Sequence, residues 1–239
     1  MTNPLTGNLR AFFEPDSIAA IGSLREMPGT AYWLIKNLRE VGYSGPIYPV
    51  NPDTTKYQKV LGLAVYDSVA AVPAPIDLAV AIAPPAEMPR IVSQCADKGV
   101  PAVIVLSEGF AESSPEGAGV QRQLTEIAKK TGLRIMGPNT FGAFNAANGL
   151  ATIAPYLAQS RVASGGVAVC SQTGSTGPHQ MPLADWGYPV SKMCDIGNKC
   201  DVDEVDVMEY LADDPQTKVV ALHLEDVRDG RRFMEAARR

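Results

Sequence analysis

The strongest constraint on this chain's fold is a repeat of pattern, not of sequence. Short apolar runs recur at Ile18 to Ile21, Ile47 to Val50, Leu78 to Ile82, Val103 to Leu106 and Arg134 to Met136. The intervening stretches Ala31 to Val41, Ala86 to Lys98 and Gly119 to Thr131 are amphipathic, and each runs into a glycine (Gly42, Gly99, Gly132), as helix C-termini favour. Strand and helix alternating in this way predict right-handed βαβ units and a parallel sheet covered on both faces. The 239 residues, 46% hydrophobic and 20% charged, suffice for one large or two small domains with an ordinary core.

Charge and cysteine usage narrow the function classes. A net charge of −5 and a pI near 5.1 argue against nucleic acid as the main partner. No apolar run approaches the roughly 20 residues of a membrane helix, and the start MTNPLTGNLRAFFEPDS lacks a secretory signal, so a cytoplasmic protein is expected. Cys95, Cys170, Cys194 and Cys200 are scattered and only His179 and His223 accompany them, so neither a zinc site nor a disulfide framework is expected.

In parallel α/β sheets, ligands collect beyond the carboxyl ends of the strands, so the residues after each apolar run carry the functional information. Ser17 to Gly29 reads as strand, loop and helix, a candidate phosphate cradle in which Gly22-Ser23-Leu24-Arg25 departs from GxGxxG. The next runs are followed by Asn51-Pro52 with Lys56 and Lys59, by Ala83-Pro84-Pro85, by Ser107-Glu108-Gly109-Phe110, and by Gly137-Pro138-Asn139-Thr140-Phe141-Gly142. Any one of these is ordinary turn punctuation, but five on one rim form a coherent surface. Pro84 and Pro85 lack backbone donors and suit an adenine face, while Arg25, Lys56 and Lys59 suit phosphates.

Thr152 to Ser164 reads as a linker. Beyond it, Gly166 to Cys170 opens a second α/β unit whose loop, Ser171 to Gly177, is rich in small hydroxyl residues and glycine, as anion sites at helix N-termini are. Val190 to Ile196 and Val219 to Leu224 supply two more strands, and Gly230 to Arg238 a helix. Three strands fall short of the roughly five that a free-standing unit of this kind uses, so the second unit is expected to be partial, with an edge at Val219 to Leu224 open to pairing.

The words FFEPDSIAAIGS, VNP with VLGLAVYDSV behind it, IAPPAE, LSEGFAE, RIMGPNTFG, VAVCSQTGS and IGNKCDVDEVDVMEYLADDPQTKVVALHLEDVRDGRRFMEAAR occur in that order. Together they resemble the CoA-binding subunit, or N-terminal half, of nucleoside-diphosphate-forming acyl-CoA synthetases, relatives of succinyl-CoA synthetase. The resemblance implies a Rossmann-like CoA-binding domain over residues 1–151 and an incomplete flavodoxin-like, succinyl-CoA-ligase-like domain over 152–239. It implies that Gly22, Ser23 and Arg25 hold the pyrophosphate of CoA, and that Val50, Asn51 and Pro52 with Lys56 hold the nucleotide and its 3′-phosphate. Ala83, Pro84, Pro85, Ser107 and Glu108 would line the pantetheine path toward Pro138 and Asn139.

The resemblance further implies a phosphate site at Ser171, Gln172, Thr173, Gly174 and Ser175, and a role for Glu225 in steadying a phosphohistidine that lies beyond it in the family. ATP or ADP and Mg2+ would enter through an ATP-grasp domain or subunit outside this chain, in an oligomeric assembly. The implied reaction joins a carboxylate to CoA through an acyl phosphate. Three departures stand out: Thr140 replaces the cysteine or serine of many relatives and is given no nucleophilic role, Pro178 and Pro182 fall within the expected phosphate-facing helix, and His179 has no counterpart in relatives. Two other readings are a non-catalytic CoA or acyl-CoA binding module and a nicotinamide-type oxidoreductase. The latter lacks both the GxGxxG glycines and an acidic residue after the second strand, where Asn51-Pro52 stands.

Overall fold

The computed structural model describes residues 9–152, 164–174 and 189–239. Its first sheet is wholly parallel, in the order β2-β1-β5-β6-β7, with β1 Ile18–Gly22, β2 Ile47–Val50, β5 Leu78–Ile82, β6 Ala102–Val105 and β7 Arg134–Met136. The five apolar runs are these five strands, the fourth displaced by one residue. They are nearly continuous in burial because both faces are covered.

Three helices follow the expected places. Helix α2 (Ala31–Val41) ends on Gly42, whose left-handed φ of 103° lets its N–H reach the Leu38 carbonyl. Helix α3 (Met88–Asp97) follows a single 3-10 turn at Pro85–Glu87. Helix α4 spans Pro115–Thr131, starting earlier than the sequence pattern indicates, because Ser114 caps the Gly117 N–H and Pro115 takes the first helical position, where no N–H is needed. A short helix α1 (Arg10–Phe13) inserts Phe12 and Phe13 into the core, and a small hairpin, β3 (Lys59–Val60) with β4 (Leu63–Ala64), follows β2.

Among the described residues the second sheet is mixed and has five strands, in the order β12-β10-β11-β8-β9. Strand β10 (Ser164–Ser171) lies parallel to both β11 (Val190–Asp195) and β12 (Val219–His223). Strands β8 (Gly142–Asn145) and β9 (Leu150–Ala151) form a hairpin that adds antiparallel to β11. Residues 164–239 contribute three of these strands, as expected, and the other two come from the hairpin at 142–151, which the sequence reading placed with the first unit. Along β12, exposure alternates, and its only neighbour among the described residues is β10. Helices α5 (Glu204–Ala212), with a capping box from Asp203 and Asp206, and α6 (Gly230–Ala236) pack on this sheet.

One apolar cluster runs through both sheets, from Phe12, Ile18 and Leu78 to Ala168, Cys194 and Ile196. The loops at the carboxyl ends are also joined. Asn198, Cys200 and Val202 donate backbone N–H groups to the carbonyls of Pro138, Gly137 and Ile135 at 2.9, 2.9 and 3.0 Å. Arg134 pairs with Asp201 at 2.9 Å and Asp206 at 2.7 Å. No described helix is long and apolar enough to cross a membrane.

Candidate functional site

The order β2-β1-β5 means that the chain leaves β1 to one side and returns past it to the other. The crevice between β1 and β5 is therefore the topological switch point, where such sheets bind ligands. Gly22 and Ile82 are register partners there, at the last residue of each strand. A Cβ on Gly22 would stand 2.3 Å from the Ile82 carbonyl oxygen, and φ is +145°, so only glycine lets the two strand ends meet and leave an open floor.

Above that floor is a cleft of about 350 Å³, within the size range of small-molecule sites. It gathers Gly22, Ser23, Arg25, Val50, Asn51, Pro52, Lys56, Ala83 and Pro84, nine residues of the expected CoA site. Their positions are fixed locally. The Asn51 amide donates to the Gly22 carbonyl at 2.8 Å, tying the second loop to the first, and its oxygen accepts the Asp53 N–H at 2.9 Å. Ser23 accepts Arg25 N–H at its hydroxyl, 3.4 Å, and Tyr32 N–H at its carbonyl, 3.4 Å. Thr30, before α2, donates its hydroxyl to the carbonyls of Arg25 and Met27 at 2.9 and 2.7 Å and so shapes the loop without capping the helix. Arg25 is exposed, and neither it nor Lys56 enters an ion pair among the described residues.

Sequence reasoning missed Arg90 and Gln94 on α3, which also line this cleft with Glu87 and Ile91. Spacing of 87, 90, 91 and 94 is that of one helix face, so the signal was present once α3 was placed behind Pro84. Lys59 and Pro85 are not among the lining residues. Pro85 instead opens the 3-10 turn, its ring beside Gly109.

A second pocket of about 280 Å³ shares Ile82 with the first. Ser107, Glu108 and Asn139, expected along a pantetheine path, line it together with Trp33, Leu34, Leu106, Thr140 and Phe141. The Ser107 hydroxyl accepts Ala83 N–H at 2.9 Å and the Ser107 carbonyl accepts Asn139 N–H at 2.8 Å, so three strand ends are locked together. The buried carboxyl of Asp195 supports the pocket's far side by accepting N–H groups from Phe141 (2.9 Å) and Gly197 (3.0 Å). Burial pushes that carboxyl above its ordinary range, helped by the charge of nearby Glu225, while the hydrogen bonds pull the other way. Asp195 was not singled out in the sequence.

The second rim is built differently. Ser171 accepts Thr173 N–H and donates to the Thr173 carbonyl, closing a tight turn, and Gly174 lies so near the Phe141 ring that a Cβ would stand 1.9 Å from it. Gln172 gives its backbone N–H to the His223 carbonyl, accepts Glu225 and Asp226 N–H groups at 2.8 and 3.1 Å, and donates its amide to the Asp226 carboxylate. Gln172 thus clamps the turn that carries exposed Glu225. Lys199, fully buried, holds the same turn through Asp226 at 2.8 Å and pairs with buried Glu204 at 3.0 Å. Ser175, Pro178, His179 and Pro182 lie outside the described residues, and His223 stands at the end of β12 with an exposed side chain.

Fold and switch-point cleft define an α/β protein whose cleft, with two cations outside any ion pair among the described residues, has the chemistry to receive a phosphate-bearing ligand. Residues 16–146 match the family model of a CoA binding domain, and 164–239 that of a succinyl-CoA ligase like flavodoxin domain. The chain belongs to the CoA binding domain family, and the resemblance to NDP-forming acyl-CoA synthetases is borne out. It is 38% identical over 238 residues to acetate–CoA ligase (ADP-forming) I subunit alpha of Pyrococcus furiosus, covering 97% of this chain and 50% of that protein. Acetate–CoA ligase (ADP-forming) II of Archaeoglobus fulgidus is 36% identical over 233 residues, 96% of this chain and 34% of the relative. Among solved structures, dinucleotide forming acetyl-coenzyme A synthetase 1 of Ca. Korarchaeum cryptofilum, in complex with phosphate and ADP, matches with a TM-score of 0.87 at 29% identity, over 97% of this chain and 49% of that one. The chain therefore spans half or less of the length of these relatives.

Proposed function

We propose that this chain is the CoA-binding portion of an NDP-forming acyl-CoA synthetase. The whole reaction would convert a carboxylate, CoA and ATP to acyl-CoA, ADP and phosphate by way of an acyl phosphate. The observation that carries this reading is the switch-point cleft, which draws nine of the expected CoA residues from three strand ends and the loops after them into one cavity with Arg25 and Lys56 free of ion pairs. A ligand with a pyrophosphate and a further phosphate fits that charge pattern, and the glycine floor fits close approach of a phosphate to backbone.

In this reading Arg25 and Lys56 bind the phosphates, Pro52 and Pro84 bound the adenine, and Ser107, Glu108 and Asn139 orient the pantetheine as it passes Ile82 into the second pocket. Such residues supply positioning: the thiol is held where an activated acyl group can meet it. Ser171 to Gly174 and Glu225 are assigned to the phosphate side of the reaction, with Gln172 and Lys199 holding the Glu225 turn rather than touching phosphate. The phosphohistidine is supplied outside this chain, ATP and Mg2+ enter through an ATP-grasp domain or subunit, and the assembly is oligomeric. The four buried, unpaired cysteines suit a reducing cytoplasm.

The test mixes the purified chain with the products of its neighbouring genes, an ATP-grasp protein among them if one is encoded there, and follows ADP release with a panel of carboxylates. CoA-dependent ADP release is expected. CoA binding without release in any combination would favour the non-catalytic module.

A further inference from the structure

Asn198 stands at the seam between the two units, in the turn after β11, and spends its polar side chain across that seam. The amide donates to the Glu112 carboxylate and, at 2.9 Å, to Oε1 of Gln121 on α4. Its Oδ1 accepts the Asn139 amide at 3.4 Å, and its backbone N–H reaches the Pro138 carbonyl at 2.9 Å. The Asn198 carbonyl turns the other way and accepts from Arg228 at 3.0 Å. Gly197 permits this close approach: a Cβ there would stand 2.3 Å from the Pro138 carbonyl oxygen.

The two groups that receive the Asn198 amide are themselves the anchors of the loop after β6. Oε1 of Glu112 accepts the N–H groups of Gly109 and Phe110 at 2.6 and 3.0 Å, and Gln121 Oε1 accepts that of Ala111 at 3.3 Å. Three successive N–H groups, directly after Glu108, are thus held by two acceptors that meet at one amide. Glu112 is exposed, and fixing a long exposed side chain in one rotamer costs entropy that a second bond must offset. The Asn198 amide supplies that bond, to a charged acceptor.

We propose that Asn198 is a positioning residue of the CoA site. It acts from the second unit, through Glu112, Gln121 and Asn139, to fix the loops along which the pantetheine arm passes. The pantetheine half of the site is then complete only with the two units docked. This rests on the CoA reading above. The adenosine half is independent of the network: none of these bonds reaches Gly22, Arg25 or Asn51, which are held by bonds of their own.

The test is calorimetric titration of CoA and of adenosine 3′,5′-bisphosphate, which lacks the pantetheine arm, into wild type and variants. Asn198→Ala is expected to weaken CoA binding about fivefold, the worth of one or two hydrogen bonds, and to leave the bisphosphate within about twofold of wild type. Glu112→Gln keeps a carbonyl for Gly109 and Phe110 but sets an N–H against the Asn198 amide. Its position is exposed, so it offers a second variant that leaves the core untouched, with the same expected split between the two ligands. Because both changes break one bond, the double variant should lose no more than either single one. A merely structural latch predicts equal losses for both ligands, or a lower urea midpoint with the ligand ratio unchanged. Either result, additive losses in the double variant, or unchanged CoA affinity in both single variants would overturn the role of Asn198 while leaving the CoA cleft standing. Failure of the wild type to bind CoA at all would overturn both.

Discussion

The two rims of this molecule treat polar groups in opposite ways. On the first, the floor is backbone, the side chains that shape the loops are short (Ser23, Thr30, Asn51), and Arg25 and Lys56 are left without ionic partners. On the second, the long polar side chains are consumed internally: Lys199 by Glu204 and Asp226, Gln172 by the 225–226 turn, and Arg228 by the carbonyls of Lys199 and Asn198. The first arrangement saves its charge for a ligand. The second fixes the position of a loop, and with it the direction of Glu225. Substitutions should therefore act on binding at the first rim and on stability at the second.

The largest effect is expected at Lys199. Replacing it with methionine strands buried Glu204, one of whose oxygens already lacks a partner, and should destabilise the fold by about 3–5 kcal/mol in urea unfolding. A loss under about 1 kcal/mol would show that the network is dispensable. Gly22→Ala comes next, because it alone is expected to act on both properties. The Cβ would meet the Ile82 carbonyl at 2.3 Å, at a cost of about 2–4 kcal/mol, and the distorted floor should abolish CoA binding. Gln172→Ala removes the clamp but keeps the strand pairing, so about 1 kcal/mol is expected with unchanged affinity for CoA.

The smallest effect concerns pH. The Asp195 carboxyl is raised in the folded state, so its contribution to stability is full below its unfolded value and declines as pH rises through the folded one. Comparing urea midpoints of wild type and Asp195→Asn at pH 4 and pH 7 should show the difference moving in favour of the variant at the higher pH. A difference independent of pH would remove Asp195 as the titrating group.

The first rim was the more legible in sequence, for a physical reason. Parallel strands buried on both faces write themselves as apolar runs, and the loops that follow them must hold the ligand, so Gly22, Asn51 and Pro84 could be placed by position alone. Arg90 and Trp33 escaped because a helix face reveals its direction only once its strand neighbours are known. The hairpin Gly142–Ala151 escaped for another reason: β8 and β9 are short, and β11, the partner of β8, lies some fifty residues further on, so nothing local marks the pairing. At the second rim, the small-residue loop after β10 was visible, but Gln172's use as a clamp depends on contacts with Glu225 and Asp226 more than fifty residues away.

The assignment of CoA to the switch-point cleft rests on cations that the fold leaves without ion pairs. It is tested most directly by titrating CoA and pantetheine, which lacks the pyrophosphate, into wild type and Arg25→Ala. One molecule of CoA per chain is predicted, with CoA affinity falling about tenfold in the variant, pantetheine affinity nearly unchanged, and stability within about 0.5 kcal/mol of wild type. Equal losses for both ligands, or none for either, would contradict it.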